Sequence, residues 1–229
     1  MASRPNDVKL IPAYRLAAAA RLIDASPTTL RSWFHGREYK AGGHVKRTLP
    51  VLPVSSKPGA PISFIDLAEA HVFQSVRKAY KIPFKNIKRA ADYLAEIKGR
   101  SLTILAHKDF YIDGANLLLE IEGRLVSLSE RGQHVDRELI KFGLKQLNYG
   151  KDGFAEEFYP RYGETYQNAF FVNPTVNFGR LSIARLGVGA DVIARRFTAG
   201  EKLDDIATDY AATRDEVEDA LRWHERLSA

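Results

Sequence analysis

No cysteine occurs in the 229 residues. That absence excludes a disulfide framework and a thiolate metal site, and it suits a reducing compartment. No apolar run approaches the roughly 18 residues that a membrane-spanning helix needs. The opening MASRPNDVKL has neither the apolar stretch nor the cleavage pattern of a signal peptide. The expectation is a soluble intracellular protein, without a membrane partner. The six histidines (His35, His44, His71, His107, His134, His224) fall at no metal-ligand spacing, and Gly187-Val188-Gly189 lacks the lysine of a phosphate loop. No Ser/His/Asp order stands out, and the carboxylate pairs Asp204-Asp205 and Glu156-Glu157 read as solvated faces. No catalytic residue, metal or cofactor is expected.

What is present is ordinary in bulk but uneven along the chain. Hydrophobic residues make up 45% and charged residues 27%, proportions usual for a globular protein. The length allows one domain or two. The net charge is +6, but residues 1–100 hold 18 Lys/Arg against 7 Asp/Glu, a balance of +11. Residues 101–229 hold 16 against 21, a balance of −5. A basic front suits a polyanion, and an acidic back suits another task.

The organising stretch is 13–40, AYRLAAAARLIDASPTTLRSWFHGREYK. Ala17, Ala18, Ala20, Leu22 and Ile23 give a short helix one face to bury. Asp24-Ala25-Ser26 interrupts it with turn residues. Ser26 is a good N-cap, and Pro27 fits a first helical position, where the missing N–H is tolerated. A second helix over 28–34 then carries Thr28, Thr29, Arg31 and Ser32 on its open face and leaves Leu30 and Trp33 for packing. Two short helices about a tight turn, the second polar and basic, outline a helix-turn-helix whose second helix can lie in a major groove. The expected DNA-binding set is Ser26, Thr28, Thr29, Arg31, Ser32 and Trp33 on this unit, with Arg37, Lys40, Lys46 and Arg47 following it. Thr28, Thr29, Arg31 and Ser32 would face bases, and the four later cations phosphates.

In the Gly/Pro-rich basic segment 38–61, HVKRTLPVLPV reads either as a two-stranded wing or as a plain loop. Ser63 or Asp66 would cap a helix running to about Tyr80, buried through Leu67, Ala70, Val72, Phe73 and Val76. A further helix over 85–97 would turn Ile87, Ala90, Ala91 and Leu94 inward and end at Gly99. Three pieces in order, AARLIDASPTTLRSWFHG, FIDLAEAHVFQSVRKAY and KIPFKNIKRAADYL, make the first 98 residues resemble the MerR-type winged helix-turn-helix family. The resemblance implies a recognition helix at 27–34, a wing in the Gly/Pro segment and a supporting helix pair. The long coiled coil and cysteine effector site of a MerR activator are absent from the sequence.

The middle, 100–160, changes character. Strands are expected at 102–105, 110–112, 116–122 and 125–128, and a helix at about 131–141. A hairpin of 144–149 with 154–159 should close around Gly150-Lys151-Asp152-Gly153, and 161–168 reads as a linker. Beyond it, Asp191 is expected to cap a helix to Thr198 that Gly200 stops, and a short helix over 203–210 turns Ile206 and Ala207 inward. Thr213 and Glu216, at capping-box spacing, open the last helix. VxPTVxFGR (Val172 to Arg180), the AGE–DDIATDY segment and the TxxEVxxAL ending resemble the antitoxin domain catalogued as domain of unknown function 433. That family usually carries GTRIP where this chain has Arg185-Leu186-Gly187-Val188-Gly189. Together the resemblances cover nearly the whole chain and are to VapB-type antitoxins, which implies a PIN-domain ribonuclease toxin as partner.

The expected fold class is α+β, mostly α. A MerR-like winged helix-turn-helix domain spans 1–99, a mixed segment with a small β-meander 100–168, and a three-helix, helix-turn-helix-like unit 169–229. Asp204, Asp205, Asp209, Asp215, Glu216, Glu218 and Asp219 would repel phosphates, so the last unit reads as a protein-binding and self-association module. Val192, Phe197, Leu203, Val217, Leu221 and Trp223 are its expected core or interface. The expected function is a homodimer that binds operator double-stranded DNA, represses its own operon and holds the toxin. The alternative is a ligand-responsive regulator with no toxin and a pocket in the central sheet.

Overall fold

The computed structural model describes residues 7–53, 57–80, 87–88, 91–93, 96, 103–110, 145–161 and 169–228. Alanine shapes its beginning. Helix α1 (Leu16–Leu22) buries Ala19, Ala20 and Leu22, and two side chains that end at Cβ let a second helix lie close. A Schellman turn ends α1: Ala25 N donates to Ala20 O (2.8 Å) and Asp24 N to Arg21 O (3.3 Å), with Asp24 left-handed at φ 53°. Ser26 then caps α2 (Pro27–His35), its Oγ accepting from Thr29 N at 3.0 Å, and Pro27 takes the first turn.

Gly36, at φ 72°, turns the chain from α2 into a hairpin of β1 (Arg37–Ala41) and β2 (His44–Thr48). A Cβ on Gly36 would stand 2.2 Å from Thr48 O. Gly42 and Gly43, at φ 61° and 78°, supply the two positive values of a two-residue hairpin loop. A wing therefore exists, but not in the register read from HVKRTLPVLPV. Its first strand precedes that segment, and Val51 and Leu52 leave the sheet to donate to Trp33 O at 2.9 and 3.1 Å. The paired glycines, rather than the prolines, mark the turn.

Helix α3 (Phe64–Tyr80) opens on a reciprocal cap, Asp66 N to Ser63 Oγ (3.1 Å) and Ser63 N to Asp66 Oδ2 (2.9 Å). Residues 64–74 are all buried, not only the expected stripe. The helix has neighbours on several sides: Trp33 of α2 meets Phe73 edge-on at 5.0 Å, and the 3-10 turn Ile104–Ala106 lies against it. Residues 87–88, 91–93 and 96 are helical, with Ile87 and Ala91 buried. The strand expected over 102–105 is not formed where it is described, because Ile104 and Leu105 belong to that buried turn. Residues 108–110 are helical where a strand beginning at Phe110 was expected. A short apolar run fits a buried turn as well as a strand, and packing on α3 selects the turn here. The elements expected at 116–122, 125–128 and 131–141 lie outside the described residues, as do 97–102 and 162–168, where the expected domain boundaries fall.

Strands β3 (Leu147–Tyr149) and β4 (Ala155–Phe158) form the expected hairpin. Phe158 and Val172 exchange backbone hydrogen bonds at 2.9 and 2.8 Å, and this joins the hairpin to β5 (Phe170–Phe171), which pairs with β6 (Ser182–Ile183). Helices α4 (Ala190–Thr198), α5 (Leu203–Tyr210) and α6 (Arg214–Ser228) complete the chain. The N-cap of α4 is Gly189 rather than Asp191, which lies in the first turn, where the helix dipole favours a carboxylate. Thr213 and Glu216 form the expected box at 2.7 and 3.2 Å. The fold is mostly helical with small antiparallel two-stranded sheets, and one apolar core reaches from Tyr14 to Trp223.

Candidate nucleic-acid interface

Helix α2 has two unlike faces. Leu30, Trp33 and Phe34 are buried, so the opposite side is fixed outward. Thr28 and Arg31 project from it, while Thr29 and Ser32 are half-buried at its edges. Three of the expected base-facing or capping groups are partly committed inside the helix. Ser26 Oγ caps Thr29 N and donates to Thr29 Oγ1 (2.8 Å), and Ser32 Oγ donates to Thr29 O (2.7 Å). Trp33, 2% exposed, stacks edge-on with Phe73 and supports the helix from behind. His35 follows, and burial together with the Arg31 charge holds its imidazole below the usual value. It is neutral at pH 7 and leaves Arg31 the exposed cation of the helix.

The wing lies next to this helix in the chain and carries four cations on two faces. In an antiparallel pair, directly opposed residues share a face. Arg37↔Thr48 and Tyr39↔Lys46 therefore lie on one side, and Glu38↔Arg47 and Lys40↔Val45 on the other. Arg37, Lys40, Lys46 and Arg47 are all exposed. Tyr39 and Val45, 41% and 66% exposed, stand among them, and the Arg37 guanidinium lies 5.9 Å from the centre of the Tyr39 ring. The sequence reading missed these two, although alternation from Gly42-Gly43 places them. Behind the wing's exit, an apolar cavity of about 220 Å³ is lined by Val51, Leu52, Phe73, Ile87 and Leu105. Among the described residues, no group of three or more His, Asp or Glu is placed to hold a metal ion, and no helix is long and apolar enough to cross a membrane.

The expected C-terminal interface is divided by burial. Val217 and Trp223 are core, at 0% and 2% exposure, Val192, Leu203 and Leu221 are half-buried, and Phe197 is exposed. A face made of all six does not exist, because the helical period carries Val217 and Trp223 inward against α4 and β5.

Short helix, tight turn, polar outer helix and basic hairpin define a helix-turn-helix domain with a wing. Residues 12–91 match the model of the family described as "Putative DNA-binding HTH domain". Along nearly its whole length the chain is also similar to "Putative antitoxin VapB45" of Mycobacterium tuberculosis, with 28% identity over 230 residues that cover 92% of this chain and 93% of that one. Its fold is similar to the X-ray crystal structure of Rv2018 from Mycobacterium tuberculosis (TM-score 0.66, 24% identity, 92% of this chain and 98% of that one). The resemblance to VapB-type antitoxins therefore holds beyond the quoted motifs.

Proposed function

We propose that the chain is a DNA-binding antitoxin of the bacterial cytoplasm. It represses its own operon through α2 and the wing and neutralises a PIN-domain ribonuclease by direct binding. The observation that carries the reading is the exposed Thr28/Arg31 face of α2, held outward by a fully buried Leu30/Trp33/Phe34 face and followed by four exposed cations. The similarity to a VapB relative supports the antitoxin half. No enzymatic step is assigned. A homodimer would set two recognition helices on the half-sites of a two-fold operator. Arg31 donates bidentately to a guanine, Thr28 supplies a hydroxyl at the helix start, and Arg37, Lys40, Lys46 and Arg47 hold phosphates and so fix register.

An operator titration tests this. Arg31→Ala should weaken specific binding by about 1–3 kcal/mol and relax preference at one base position. Equal affinity and preference in the variant would remove Arg31 from base readout. For the other half of the reading, the full-length protein should co-purify with the product of the neighbouring gene and silence its ribonuclease activity. A neighbour that neither binds nor is inhibited would reject it.

A further inference from the structure

Phe178 is the most exposed large apolar side chain among the described residues, at 87%, and its backbone is strained. Asn177, Phe178 and Gly179 lie one after another in the left-handed region, at φ 50°, 56° and 74°. Glycine adopts that region freely and asparagine readily, but a bulky side chain does so only under constraint. The constraint is visible on both sides. Gly179 N donates to Val176 O (3.0 Å), Arg180 N to Asn177 O (3.1 Å) and Asn177 Nδ2 to Ser182 Oγ (3.3 Å). A Cβ on Gly179 would stand 2.3 Å from the Tyr14 hydroxyl, so the turn is locked against the N-terminal part of the chain. A strained turn that leaves an aromatic ring this exposed gains little from packing against the described residues, and such strain gathers at binding sites.

Phe178 also borders an open cleft of about 520 Å³ whose apolar lining includes Tyr14, Leu22, Leu181 and Leu227. Among the described residues Arg15 and Arg180 line it against one carboxylate, Asp191, which pairs with Arg180 (2.9 Å) and which Arg195 contacts as well (3.5 Å). An exposed aromatic beside an apolar cleft with surplus guanidinium charge is the make-up of an interface anchor. We infer that Phe178 and this cleft dock a partner protein through a segment that presents an apolar side chain flanked by carboxylates. The inference rests on the antitoxin reading and places the partner surface away from Val217 and Trp223, which are core. A second copy of this chain would set the same arginines against each other. A DNA backbone would satisfy the arginines but offer Phe178 no apolar pocket.

The experiment uses the full-length chain and the purified product of the neighbouring gene, titrated calorimetrically at low and high salt. Phe178→Asn removes the ring but tolerates the left-handed backbone, so its melting temperature should equal or exceed that of the parent. It should still weaken the complex by about tenfold or more. Phe178→Tyr should bind like the parent. Arg15→Glu should weaken the complex most at low salt. Parent-like binding by Phe178→Asn overturns the inference and leaves the antitoxin reading standing, whereas a parent chain that does not bind the neighbour removes both. If Phe178→Asn keeps the neighbour but loses self-association or operator affinity, the face belongs to a second copy or to DNA, and the inference is again overturned.

Discussion

Glu69 sits on α3 with no exposed surface. Burial first, and the Asp66 carboxylate second, push its carboxyl well above the usual range, opposed by the backbone N–H of Leu105. A folded value raised above the ordinary 4.5 means that the native chain keeps a proton the unfolded chain gives up. Stability therefore falls as pH rises from about that value through the folded one. Glu69→Gln keeps the shape and removes the titration. The variant should melt higher than the parent at pH 8, and the gap should close toward pH 4. Thermal denaturation across that range measures it. A variant less stable than the parent at pH 8 would mean that the carboxylate is ionised and paired there. The same logic of burial explains Trp33. Its position next to Ser32 on the polar second helix of the helix-turn-helix reads as contact, but it lies on the opposite helix face, which turns it onto Phe73.

At the scale of elements, the wing is where geometry refines the contact scheme. Lys46 and Arg47 are neighbours in sequence and lie on opposite faces of the hairpin. On the proposed DNA-binding reading, a hairpin entering a groove edge-on would meet both phosphate backbones, and both cations would contribute independently. Lys46→Ala and Arg47→Ala should each flatten the slope of log affinity against log salt by about 0.9, and the double variant by about twice that, equally on operator and scrambled duplex. Titrations over a salt series check this, and a slope change in only one single variant would confine the contact to one face. Elements with local punctuation were legible in the sequence. Ser26-Pro27 and Thr213 with Glu216 cap as their spacing implies, Ser63 and Asp66, read as alternative caps, act together, and α5 has its expected bounds because Gly200 and Thr213 bracket it. Non-local choices were not legible. Ile104-Leu105 is a turn because α3 covers it, Gly189 displaces Asp191 as a cap, and Phe178 is set by a turn locked against Tyr14, more than a hundred residues earlier.

Across the whole molecule, the last helix is fastened to the first. Arg21 Nη1 donates to Leu227 O (3.3 Å), Arg226 Nη2 to Arg21 O (3.2 Å), and Arg226 also reaches Asp24 (3.2 Å). From α3, Lys78 pairs with the same carboxylate at 2.5 Å, and Gln74 Nε2 donates to Asp24 O at 3.0 Å. Asp24 is the left-handed residue that closes the turn of the helix-turn-helix, so the last helix touches the helix-turn-helix at that turn. The hydrogen bond from Lys78 first, with Arg226 assisting, holds the Asp24 carboxyl below its ordinary 3.8. A lowered folded value means that the unfolded chain takes up the proton first. The stabilisation is complete above 3.8 and is lost as pH falls through the folded value. Asp24→Asn separates charge from conformation, since asparagine accepts the left-handed backbone. The variant should be less stable than the parent at pH 7, by little because the pair is exposed, and the gap should narrow as pH falls below 3.8. Denaturant unfolding at a series of pH values, at low salt, measures the difference. A gap that stays constant into acid would show that it does not come from the Asp24 charge, and that the two ends of the chain are not joined through that carboxylate.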